Sequence, residues 1–120
     1  MKKIPIKTTE NKFFRQFLEL FRSLPPFNEL RSRELDVLSQ ILYQNNKYSS
    51  IVTVTRPLVV FSKEVRKEMR ESLSISEDIF NNNLSGLRKK NLINEDNRLI
   101  PFLETLKYDK EFKLEFNFKG

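Results

Sequence analysis

Between Ser62 and Asn91 the apolar residues recur at helical spacing twice, with only a short polar turn between the two runs. This limits the folds open to the chain more than any other feature. Val65, Met69 and Leu73 mark one face of a helix over residues 63–73, and Phe80, Leu84 and Leu87 mark a second that runs to about Asn91. Ser62 opens the first helix. Leu73-Ser74-Ile75-Ser76 reads as a tight turn in which Ser76 caps the second. Ile75 and Phe80 stand at the staple positions around that cap and fix the angle at which the chain enters. Asn91 sits just past the helix end, where glycine is commonest and asparagine substitutes because it tolerates positive φ.

The other elements follow in both directions. Residues 1–12 form a basic N-terminal arm with Lys2, Lys3, Lys7 and Lys12 against Glu10. Phe13, Phe14, Phe17, Leu18, Phe21 and Leu24 predict an aromatic-faced helix over 13–24, stopped by Pro25-Pro26. At helical spacing this stripe is core rather than a stacking platform for single-stranded nucleic acid. Leu35, Leu38, Ile41 and Leu42 share a face of a helix over 31–44 that ends near Asn45-Asn46. Residues 51–61, β-branched and split by Pro57, predict one or two edge strands. Leu92-Ile93 and Arg98-Leu99-Ile100 flank Glu95-Asp96-Asn97 as a short hairpin that Pro101 ends. Residues 111–119 alternate strictly, with Phe112, Leu114, Phe116 and Phe118 on one face, and predict a C-terminal strand. That strand either completes the core beside Ile51–Thr55 or closes a homodimer.

Composition removes most chemistries. With no Cys and no His in 120 residues, no zinc finger, thiol nucleophile, Ser-His pair or disulfide can be built. Only Gly86 and Gly120 are glycines, too few for a phosphate-binding glycine loop. A carboxylate enzyme passes this filter, but no spacing brings two acids together, so the expectation is a protein that is not an enzyme and needs no metal, cofactor or small-molecule ligand. With 38% apolar and 32% charged residues the chain is globular, and its length suits one domain, residues 13–120, behind the arm. No apolar run suits a membrane span and no leader pattern follows Lys2-Lys3, so a cytoplasmic setting, in a bacterium or a phage-infected cell, is expected.

The stretch SKEVRKEMRESLSISEDIFNNNLSGLRKKNLINEDNRLI resembles the winged helix-turn-helix of bacterial and phage regulators, the MarR-like proteins among them. Leu73–Ser76 matches the turn, Leu84 and Leu87 the recognition helix, and Lys89-Lys90-Asn91-Leu92-Ile93 the entry to the wing. RSRELDVLSQIL looks like the first helix of such domains, so the resemblance covers about residues 30–101. The whole chain also resembles small winged-helix proteins of crAss-like tailed phages. The resemblance implies an α+β fold, a winged helix-turn-helix with an extra N-terminal helix and a C-terminal β-strand.

Charge placement names the contacts. The net charge of +6 calls for an anionic partner. On a helical wheel Lys63, Arg66, Lys67 and Arg70 share one arc of about 100°, with Glu64, Glu68 and Glu71 in another. Like charges spaced i,i+4 cost the isolated helix a few tenths of a kcal/mol each, whereas a pure cationic stripe suits a helix lying across DNA phosphates. In the next helix Asn81, Asn82, Ser85, Arg88 and Lys89 point away from the core and are the candidates for base reading. The wing tip is acidic, so the wing is either structural or touches DNA only through Asn97 and Arg98. The charge excess lies in residues 1–22, six bases against two acids, and 51–75, five against three. The function expected is sequence-preferring duplex DNA binding in transcription regulation. The alternative is a phage structural or protein-interaction module that reuses the fold.

Overall fold

The computed structural model describes the backbone of residues 2–5, 10–106 and 113–116, and the side chains of 12–106. Among them are helices α1 (Glu10–Leu20), α2 (Ser32–Lys47), α3 (Arg56–Val60), α4 (Lys63–Leu73), α5 (Glu77–Lys89) and α6 (Pro101–Glu104). A 3-10 turn at Phe27–Glu29 leads into α2.

Helix α2 is the axis, with α1, α3, α4, α5 and α6 all packed on it. Leu35, Val37, Leu38, Ile41 and Leu42 are buried along it. A helix covered on most sides has little solvent face left for its polar residues, and Glu34, Ser39, Gln40, Gln44 and Asn45 are buried too. Most find partners. The Ser39 hydroxyl donates to Asp36 O at 2.6 Å, and Asn45 Nδ2 donates to Glu104 O at 3.4 Å. Helix α1 adds Phe13, Phe14, Phe17 and Leu18, all buried. The Phe13 and Phe14 rings meet edge-on at 5.1 Å, and those of Phe17 and Phe21 are tilted at 4.9 Å, favourable geometries for aromatic pairs. The aromatic stripe is therefore core, as its spacing implied. Helix α1 stops at Leu20, earlier than predicted, because the Phe21 and Arg22 amides turn back to Leu18 and Glu19 in tight i→i−3 bonds before the prolines are reached.

The expected α+β winged-helix class is overturned: the body of the described chain is helical and no sheet enters it. Residues 51–61 form turns and α3 instead of strands. Pro57 suits the first turn of a helix, and the Arg56 guanidinium folds back on carbonyls that a ladder would have used. Its Nε donates to Ile51 O at 3.1 Å, and its Nη2 to Ser49 O at 3.1 Å and to Ile51 O at 3.0 Å. The wing shrinks to one isolated bridge, Ile93 with Leu99. Asn91 turns left-handed on one side and Pro101 starts α6 on the other, so no room remains for a ladder. The C-terminal strand does not lie beside Ile51–Thr55. A short segment, β2 (Lys113–Phe116), pairs antiparallel with β1 (Lys2–Pro5), a ribbon of the two chain ends. The expected burial of Phe112, Leu114, Phe116 and Phe118 concerns side chains outside the described residues, as do Lys2, Lys3 and Lys7 of the arm.

Gln44 is completely buried, and neither its Oε1 nor its Nε2 finds a hydrogen-bond partner among the described residues. An uncompensated amide costs roughly 1–3 kcal/mol in protein interiors. Gln44→Met, close in volume, should therefore raise the urea midpoint by about 1 kcal/mol of stability with an unchanged m-value. A lower midpoint would mean that the amide is paired.

Candidate nucleic-acid interface

The α4–turn–α5 unit is built from local chemistry. Ser62 Oγ accepts from the Val65 amide at 3.4 Å and caps α4. Ser74, at φ 55°, ends it in the left-handed conformation, and the amides of Ser74 and Ile75 return to the carbonyls of Glu71 and Arg70. Two residues later Ser76 Oγ accepts from the Ile79 amide at 3.2 Å and caps α5. Phe80 is buried, and Ile75 is partly buried against the same core. At the far end Asn91, at φ 62°, directs its own amide to Arg88 O and that of Leu92 to Leu87 O. The turn and both caps are as the sequence predicts.

The cationic stripe of α4 divides. Lys63, Arg66 and Arg70 line a small cleft of about 60 Å³ facing Glu77, Phe80 and Asn81 of α5. Arg66 is half-buried, and its Nε, shielded from solvent, has no acceptor among the described residues. Lys67 points elsewhere and pairs loosely with Glu71 at 3.9 Å, a surface contact of little energetic weight.

On α5, at about 100° per residue, the side opposite Phe80, Leu84 and Leu87 carries Asp78, Asn82, Ser85 and Lys89. Asn82, Ser85 and Lys89 border an open cleft of about 400 Å³ together with Arg31. Asn81 belongs to the flank that faces α4. Arg88 is committed: its Nη2 donates to Asn97 Oδ1 at 2.6 Å, tying the end of α5 to the hairpin. This removes both Arg88 and Asn97 from the free surface. Arg98 is half-buried and lines a cleft with Asn94, Leu99 and Glu104, while Glu95 and Asp96 form the exposed tip. The structure thus brings Asn82, Ser85 and Lys89 together on one open face. Lys63, Arg66 and Arg70 lie beside it, and Arg88, Asn97 and Arg98 do not join them.

The angle of α5 is set by a close approach to α2. Glu34 is buried, and its Oε1 accepts from Lys90 Nζ at 2.6 Å and from the Arg31 amide at 2.9 Å. Burial pushes this carboxyl upward, but the Arg31 amide and then the Lys90 ammonium outweigh it and hold it below the usual carboxylate range. Lys90 Nζ also donates to Glu29 O at 2.8 Å. Gly86 permits the approach, because a methyl group there would run into the Glu34 carboxylate.

No protein-family model, curated protein or solved structure matches the chain. Among the described residues no cluster of acidic side chains could hold a metal ion, and no helix is long and apolar enough to cross a membrane. Sequence reasoning misses two residues of the candidate face. Early in its helix Asp78 reads as a complement to the helix dipole, yet it shares the outward face, and a helical wheel is the signal that finds it. Arg31 carries no local signal, since it borders the cleft beside Asn82, Ser85 and Lys89 only through the packing of α2 on α5.

In an isolated helix Gly86→Ala would gain about 1 kcal/mol of propensity. Here it should destabilise the protein, because the methyl displaces Glu34 from Lys90. In a Glu34→Ala background the same change should stabilise. A double-mutant cycle by chemical denaturation reads the sign reversal; equal effects in both backgrounds would dismiss the contact.

Proposed function

We propose that the chain binds double-stranded DNA with a sequence preference, most simply as a transcriptional regulator. In this reading α4 lies on the phosphate backbone and α5 enters the major groove. The observation that carries it is the pairing of two surfaces on one capped helix–turn–helix unit. One is the cleft where Lys63, Arg66 and Arg70 gather. The other is the polar face of Asp78, Asn82, Ser85 and Lys89, side chains that no internal hydrogen bond or ion pair engages among the described residues. Helix–turn–helix proteins place their second helix in the groove in this way. The chemistry of the face suits base edges: an Asn amide pairs with adenine, a Lys with guanine, and a carboxylate accepts from cytosine N4. The reading does not use the hairpin, whose tip is acidic and whose Asn97 is held by Arg88. It sets the protein in the cytoplasm of a bacterium or an infected cell, where such DNA is found.

A second reading, a protein-contact module, draws on three apolar side chains left in solvent, two just before α3 and one on it. Val52, Val54 and Leu58 are 68%, 72% and 76% exposed.

One titration separates the two. Arg66→Ala with Arg70→Ala should weaken binding to every duplex and lower the salt slope by roughly 0.9 for each phosphate no longer neutralised. Asn82→Ala should cost about 1–3 kcal/mol on the best site selected from a random pool, with affinity for random duplex nearly intact. No duplex binding at low salt by the unaltered chain would leave the protein-contact reading.

A further inference from the structure

Helix α5 lies between two neighbours. Its Glu77–Asn81 flank faces the α4 cations, and its Gly86–Lys90 flank is drawn against the start of α2. On this second side the cleft of about 400 Å³ is bordered by Arg31, Asn82, Ser85 and Lys89. The one acid there, Glu34, is already neutralised by Lys90 at 2.6 Å. Arg31 and Lys89 are both exposed, and no ion pair joins either to an acid among the described residues. The outward face of α5 is therefore edged by an excess of cations on both sides, Lys63, Arg66 and Arg70 against Glu77 on one, and Arg31, Lys89 and Lys90 against Glu34 on the other.

A B-DNA major groove is about 12 Å wide, and a helix with its side chains is about 10–12 Å across. A helix seated there passes close to the phosphates of both strands at once. We propose that Arg31 is the second phosphate anchor and holds the strand opposite to the one that Lys63, Arg66 and Arg70 grip. The inference rests on the duplex-DNA reading and adds a residue outside the helix–turn–helix unit. The Glu34–Lys90–Gly86 contact then has a functional consequence, because it sets the distance between the two anchors.

The test uses the full chain and a duplex carrying its best selected site, with single phosphates replaced in turn by uncharged methylphosphonates on both strands. The unaltered protein should show two groups of sensitive phosphates, one on each strand, facing each other across one major groove. Arg31→Gln should erase one group, keep the other and reduce the salt slope by about 0.9. Arg66→Gln should erase the other group. Arg31→Lys should keep both groups, and Arg31→Gln, which keeps the amide to Glu34 but loses the charge near it, should still unfold cooperatively. If the unaltered chain binds but Arg31→Gln leaves both groups and the slope intact, or weakens both strands alike, the second anchor is wrong and the α4 anchor stands. If the unaltered chain binds no duplex, the DNA reading itself falls, and the anchor with it.

Discussion

Helix α2 is enclosed by the rest of the protein, and the placement of α4 and α5 depends on that enclosure. Leu35, Leu38, Ile41 and Leu42 are all at or below 1% exposure. Each such side chain contributes about 1.5–3 kcal/mol on burial, against a total stability of about 5–15 kcal/mol for a small domain. Apolar burial holds the helices together without choosing their angles closely. The polar contacts on α2 narrow the choice: Glu34 draws in the end of α5 through Lys90, and Asp36 draws in α1 through Arg15 at 2.7 Å. Gly86 completes the arrangement by leaving room for the carboxylate.

The charges divide between structural and uncommitted groups. Arg15 and Arg22, which make the first residues look basic, are engaged by Asp36 and Glu19. Lys90 serves Glu34, Arg56 closes the 49–56 loop, and Arg88 holds the hairpin. The cations left around α5 are Lys63, Arg66 and Arg70 on one side and Arg31 and Lys89 on the other. Five cations therefore border α5, three on its α4 side and two at the entry to α2. Arg66 is half-buried with no acceptor for its Nε among the described residues, an arrangement that costs the folded protein some stability.

Where a residue's fate depends on its near neighbours, the sequence is legible. Ser62, Ser74, Ser76 and Asn91 each cap, turn or end a helix within a few residues, and each does so in the structure. The aromatic stripe of α1 and the apolar faces of α4 and α5 are equally clear from their period. The failures share the opposite property. Val52, Val54 and Val59 have strand propensity, but no neighbouring strand reaches them, and Arg56 takes the carbonyls that pairing would have used. The hairpin pattern is correct about the turn and wrong about its length, because Asn91 and Pro101 bound it too closely. Arg88 looks free on a wheel and is held by a residue nine positions away. Arg31 carries no local signal and lines the cleft beside α5. Pairing and packing between distant segments decide each of these.

The central claim is that one face, made by α4, α5 and the entry to α2, meets duplex DNA. Amide chemical-shift mapping of the labelled chain tests it directly, by titration with a short random duplex at low salt and then with the same duplex at high salt. The account predicts shifts concentrated at Arg31, at Lys63–Arg70 and at Asp78–Lys89, fading as salt is raised, with α1 and Val52–Leu58 unmoved. Shifts centred on Val52–Leu58, or none at low salt, would contradict it.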